Sequence, residues 1–214
     1  MDEEITIIDS NARSERIKNF FINNKKKLIS TISIILAIII GYLSFEKSKE
    51  RTKIKLANKY NLALIDLNPD NKQKTIDEMV NVVKSNDATY SPLALYHLLD
   101  NNLLENNEEI NILFNELIEK TNLDNEIKNL MIYKKALFNS DFVTENELLK
   151  ILNPVINSDS IWKSHSLYLL AEFFYSKNEK QKAKEFFDQI LVLPDANILI
   201  KSESQKRLNR DLSE

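Results

Sequence analysis

His97 and His165 are the only imidazoles in the chain, and neither sits in a His-Glu-x-x-His spacing that would hold a metal. Far apart in sequence and without flanking ligand patterns, both read as surface histidines. The chain has no cysteine, which removes disulfides, thiolate zinc sites, iron–sulfur clusters, thiol nucleophiles and lipoprotein processing. Gly41 is the only glycine. Phosphate-cradling loops need glycine where backbone approaches phosphate, and calcium loops need one at their sharp turn, so neither can be written here. Carboxylates are plentiful, but a glycosidase-like pair also requires a shaped cleft that no pattern supplies. The expectation is a non-enzymatic protein with no cofactor, metal or small-molecule substrate. A formal charge of −3, from 29 Lys+Arg against 32 Asp+Glu, gives no nucleic-acid footprint.

The side chains suited to contact chemistry gather in residues 164–195, SHSLYLLAEFFYSKNEKQKAKEFFDQILVLPD. Leu167, Leu170, Ala171 and Phe174 form one stripe of a helix, and Ala183, Phe187 and Ile190 form the facing stripe of the next. Ala171 and Ala183 let the two helices approach closely, while Phe174 and Phe187 fill the angle between them. His165, Tyr168, Glu172 and Tyr175 then fall on the opposite face and are the candidate protein-binding residues. Trp162, the only tryptophan, reads as a packing plug between neighbouring helix pairs.

The elements that position this strip are helical. One glycine and four prolines leave little for tight hairpin turns, and no strand-like alternation of any length occurs. The abundant Asn, Lys and Ile match the bias of an A+T-rich genome, so individual Asn residues carry no weight. Residues 28–45, LISTISIILAIIIGYLSF, hold no charge and are bracketed by Lys25, Lys26, Lys27 and by Glu46, Lys47. At about 1.5 Å per residue they reach roughly 27 Å, which suits a hydrocarbon core of about 30 Å with lysines snorkelling at the ends. Eleven Leu, Ile or Phe in this run favour insertion by about 3–6 kcal/mol. A buried soluble helix this apolar needs a larger protein around it, and a cleaved signal peptide fits poorly with 27 preceding residues and the bulky Tyr42, Leu43 and Phe45 at the exit. Six basic residues flank the span on each side; the three lysines directly abutting its amino end place that end in the cytoplasm.

The expected organisation is a cytoplasmic tail over residues 1–27, the span at 28–45, a helical stalk and first packed helix at 46–67, and a helical domain at 68–214. In the tail, Ser10 is placed as the cap of a helix carrying Ile17, Phe20 and Phe21. Asn68-Pro69-Asp70-Asn71 ends the stalk helix. Further helices are expected at 75–84, from the Ser91-Pro92 start, around Ile110 to Ile118, along Ile127, Leu130, Met131 and Phe138, and at 145–152 ending by Pro154. Three more follow at 162–176, 179–191 and 198–208, about nine in all. Ser91 before Pro92 reads as an N-cap followed by proline in the first helical position.

The set Leu167, Leu170, Ala171, Phe174, Ala183, Phe187 and Ile190, closed by Pro194, resembles a tetratricopeptide unit. The fold class is therefore all-α: one N-terminal transmembrane helix followed by a tetratricopeptide-like α-hairpin array. Across most of its length, through Leu152, Pro154, Val155, Trp162, Leu170, Ala171, Ala183, Phe187, Pro194 and the segment from Ser204 to Leu208, the chain resembles the YfgM-like tetratricopeptide-repeat-like inner-membrane proteins. His97 and Asn101 depart from that pattern, which prefers apolar residues there. The resemblance implies a single-pass bacterial inner-membrane protein with its helical domain in the periplasm. Its partners would be the Sec translocon, exported polypeptides or periplasmic chaperones, together with inner-membrane lipid. A transmembrane sensory or signalling module, and a structural stalk in envelope or division assemblies, remain as other readings.

Overall fold

The computed structural model describes residues 2–67 and 71–212, with side chains at 15, 16 and from 18 onward. Among the described residues there are nine helices and no strand: α1 (Asp2–Ile65), α2 (Lys72–Val83), α3 (Tyr90–Asp100), α4 (Asn107–Lys120), α5 (Asn125–Asn139), α6 (Glu145–Ile156), α7 (Lys163–Ser176), α8 (Lys180–Val192) and α9 (Ile198–Asp211). The chain divides into two units, Met1–Lys55 and Leu56–Glu214.

The first unit is the part of helix α1 up to Lys55; the last turns of that helix, with the buried Ala63, belong to the second unit. Ser10, expected as a cap, lies inside α1, because the helix already begins at Asp2; the side chains of Ser10 and Ile17 lie outside the described set. Leu28 is half-buried and residues 29–45 are exposed throughout, and none of the most apolar window is buried. One helix near the N-terminus is thus long and apolar enough to cross a membrane. Thr31 is compatible with lipid: its hydroxyl donates to the Lys27 carbonyl at 2.9 Å, so it brings no unsatisfied donor into hydrocarbon. α1 ends at Ile65. Asn68, Pro69 and Asp70 of the expected break lie outside the described residues.

In the second unit every helix from α2 onward packs on its successor. α5, α7 and α9 also touch one another in order, as expected of stacked hairpins. Two apolar cores result. One runs from Ala63 through α2, α3 and α4 to Met131; the other runs from Ala136 through α6, α7 and α8 to Leu212. α5 serves both: Met131, with the half-buried Leu130 and Phe138, closes the first core, and Ala136 belongs to the second. That double duty explains a departure from the expected stripe. Met131, Ile132 and Ala136 are the buried apolar residues of α5, while Ile127 is exposed and Leu130 and Phe138 are half-buried.

Turn chemistry differs from expectation in three places. Ser91 is not an N-cap, since α3 begins one residue earlier at Tyr90. Its hydroxyl is fully buried, donates to the Val82 carbonyl at the end of α2 and accepts from the Asp87 amide, both at 2.9 Å. Asp87 caps the helix instead, accepting from the Thr89 and Tyr90 amides. Pro154 does not end α6, which continues to Ile156. So near the C-terminus a proline forgoes only one intrahelical bond, and the fully buried Leu152 and Val155 keep the backbone on the core. Finally, Asn residues are not mere background: Asn86, Asn102 and Asn178 adopt φ of 56°, 49° and 63°. After α3, the Asn102 amide donates to the Leu99 carbonyl and the Leu103 amide to Leu98. After α7, Asn178 and Glu179 donate in the same way to Tyr175 and Phe174. Both are Schellman closures in which Asn stands where glycine is usual.

Candidate interaction surface

The α7/α8 pair is the best-formed part of the second unit. Leu167, Leu170, Ala171, Phe174, Ala183, Phe187 and Ile190, the seven residues of the helix-pair pattern, are all buried. The Phe174 ring stacks on Phe186 at 5.5 Å between centroids, and Phe187 receives the edge of Tyr168 at 5.6 Å. With this stripe turned inward, the opposite face of α7 carries His165, Tyr168, Glu172 and Tyr175, each half-buried.

The structure divides those four into two groups. Glu172 accepts two hydrogen bonds from Arg207 of α9, Nε to Oε1 and Nη2 to Oε2, both 2.7 Å. The same guanidinium lies over the Tyr175 ring, its Cζ 4.3 Å from the centroid, and pairs one turn on with Asp211. Tyr168 stands beside this network. Burial, and then the negative charge of Glu172, push its hydroxyl up to about 12. Hydrogen bonding to Arg210 and its positive charge, with that of Arg207, hold the Asp211 carboxyl below the usual range against a smaller desolvation. Around Tyr168, Glu172 and Tyr175, then, α9 already contributes the cation that a ligand would otherwise bring.

His165 belongs elsewhere. Its ring lies 5.2 Å from Trp162 and 5.9 Å from Tyr133 of α5, and Trp162 stacks on Tyr133 at 5.9 Å with the planes 18° apart. Trp162 therefore packs between α5 and the start of α7, a plug joining adjacent pairs. The three rings form a half-buried aromatic cluster, with Nδ1 of His165 buried and without a hydrogen-bond partner. Leu137, one turn beyond Tyr133, is exposed. His97 is no surface histidine either. It is half-buried, Asn101 Nδ2 donates to its Nδ1 at 3.2 Å, and its Nε2 is buried without a partner. His97 and Asn101, out of place in the repeat pattern, thus bond to one another, the ring through Nδ1 alone.

Arg207 and Tyr133 were not among the residues singled out from sequence. Arg207 sits in the charged run KRLNR, which reads as a solvated face, and nothing links it to Glu172 across 35 positions. Among the described residues no three His, Asp or Glu side chains gather around a point where an ion would sit. One open cleft lies away from α7, between α2 and the approach to α4, floored by Ile76, Val80, Leu103 and Leu104 and rimmed by Lys72, Asp77, Glu105 and Glu109. No protein-family model, curated protein or solved structure matches the chain.

Proposed function

We propose that this chain is a membrane-anchored, non-enzymatic docking protein. Its helical domain stands in the periplasm near the Sec translocon, where it engages exported polypeptides or periplasmic chaperones. The observation that carries the reading is the exposed apolar run of α1, a helix suited to lipid and joined to a domain of stacked hairpins. Tethering gives such a domain its advantage, because confinement near an exit site raises effective concentration and makes weak contacts productive. The location beside the translocon rests on the resemblance to YfgM-like inner-membrane proteins. Contact is assigned to the aromatic cluster of Tyr133, Trp162 and His165 with the exposed Leu137, and to Tyr168 beside the Glu172–Arg207 pair.

Photo-crosslinking in cells tests this, with the photoreactive residue placed at Leu137 or Tyr168 in the full-length chain. The reading expects adducts with nascent exported chains, periplasmic chaperones or translocon subunits. Adducts only with a second copy of the chain, or only with one signalling protein, contradict it.

A further inference from the structure

Charge is unevenly distributed along the chain. Residues 56–214 hold 18 Lys+Arg against 25 Asp+Glu, whereas residues 47–55, KSKERTKIK, hold five cations and one carboxylate. On α1 these cations fall in rows four apart, Lys47, Arg51 and Lys55 on one and Lys49 and Lys53 on another. Like charges at that spacing destabilise a helix in water, so the arrangement calls for an anionic counterpart. Among the described residues no ion pair supplies one. Every ion pair among the described residues lies between Glu116 and Asp211, and all of 46–55 is exposed.

Two geometric facts say what the counterpart is. At about 1.5 Å per residue, Lys55 lies roughly 15 Å beyond Phe45, the last residue of the span. A headgroup layer of about 5–8 Å plus a Debye length of about 8 Å covers that reach. Second, helical side chains tilt toward the helix N-terminus, so on this side of the span they lean toward the bilayer. Lys49 shows this tilt, its Nζ lying 4.6 Å from the centroid of the Phe45 ring. Lys25, Lys26 and Lys27, at the amino end, lean the other way.

We propose that Lys47, Lys49, Arg51, Lys53 and Lys55 form a collar that binds the headgroups of anionic phospholipids. The collar offsets the repulsion that an acidic domain tethered at this point would meet from the same surface. It rests on α1 being a membrane span. The test uses the full-length chain in bilayers with spin-labelled phosphatidylglycerol or phosphatidylcholine as probe. Phosphatidylglycerol is expected to associate about threefold more strongly, and the preference to fall toward unity at 0.5 M salt and in K47Q/K49Q/R51Q/K53Q/K55Q. K25Q/K26Q/K27Q is expected to reduce it less. Retention in the bilayer after alkaline carbonate washing reads the span separately. A five-fold variant that stays in the bilayer with its preference unchanged overturns the collar, and so does wild-type protein that binds poly-glutamate but shows no lipid preference.

Discussion

Glu172 of α7 and Arg207 of α9 face each other in a two-pronged pair, 2.7 Å at each prong, that fastens the last helix of the domain across the tyrosine-bearing face of α7. The pair is the first determinant of how much of that face a partner reaches. Arg207 is nearly buried while the carboxylate keeps about a third of its surface exposed, 13% against 34%. Removing the cation takes a partner from Glu172, Asp211 and Tyr175 at once, whereas removing the carboxylate leaves the guanidinium paired with Asp211.

Arg207→Met is expected to lower stability by about 2 kcal/mol, and Glu172→Gln, which leaves Arg207 its Asp211 partner, by less. The double variant should lose less than the sum of the two, because they share one interaction. Urea unfolding of the full-length chain in detergent, followed by circular dichroism, reads all three. Strict additivity would show that the pair contributes nothing as a pair.

Tyr96 and Tyr168 should ionise well above the ordinary tyrosine range. Burial, with Asp100 nearby in one case and Glu172 in the other, pushes both up to about 12. The folded state holds these protons more tightly than the unfolded chain, so their contribution to stability is complete below about pH 10 and is lost as pH rises from 10 to about 12. Absorbance at 295 nm should lose part of its rise near pH 12 in each of Tyr96→Phe and Tyr168→Phe; a titration unchanged there in both variants would contradict the assignment.

His97 acts at the other end of the scale. Burial lowers its pKa, with Asp100 opposing weakly, so the folded state prefers the neutral ring. The unfolded chain takes up this proton first as pH falls below about 6.5, and stability declines from there toward the lowered folded value. His97→Gln should remove that part of the decline. Urea midpoints at pH 7.5 and 5.5 that change equally in both proteins would contradict it.

Asn178 gives a backbone test. At φ of 63° any β-carbon is strained, and Asn tolerates the conformation better than most residues. Asn178→Ala should cost about 1 kcal/mol, while Asn178→Gly should be neutral or stabilising. Thermal midpoints of the two variants, ordered the other way round, would refute the closure after α7.

The sequence made the strongly periodic parts legible. The seven inward residues of α7 and α8 follow from spacing alone, because a tight helix pair has few ways to bury two alanines and two phenylalanines. Where one residue type serves two purposes, spacing misleads. Ser91 and Pro92 look like a helix start, yet Ser91 bonds across to α2; Pro154 looks like a stop, yet its neighbours hold the helix to the core. α5 hid its inward face because one helix serves two cores. The candidate strip was legible as a face but not as a set of partners, since Arg207 and Tyr133 reach it only through the stacking of separate helices.

The account turns on residues 28–45 lying in lipid. Two lysines at Ile35 and Ile39 would each cost about 2.5–3.5 kcal/mol at the middle of the span, enough to cancel its gain on insertion. Alkaline carbonate extraction of cells producing the full-length chain should leave the wild type in the membrane pellet and release Ile35→Lys/Ile39→Lys to the supernatant. Release of the intact wild-type chain would contradict the membrane anchor and the docking role built on it.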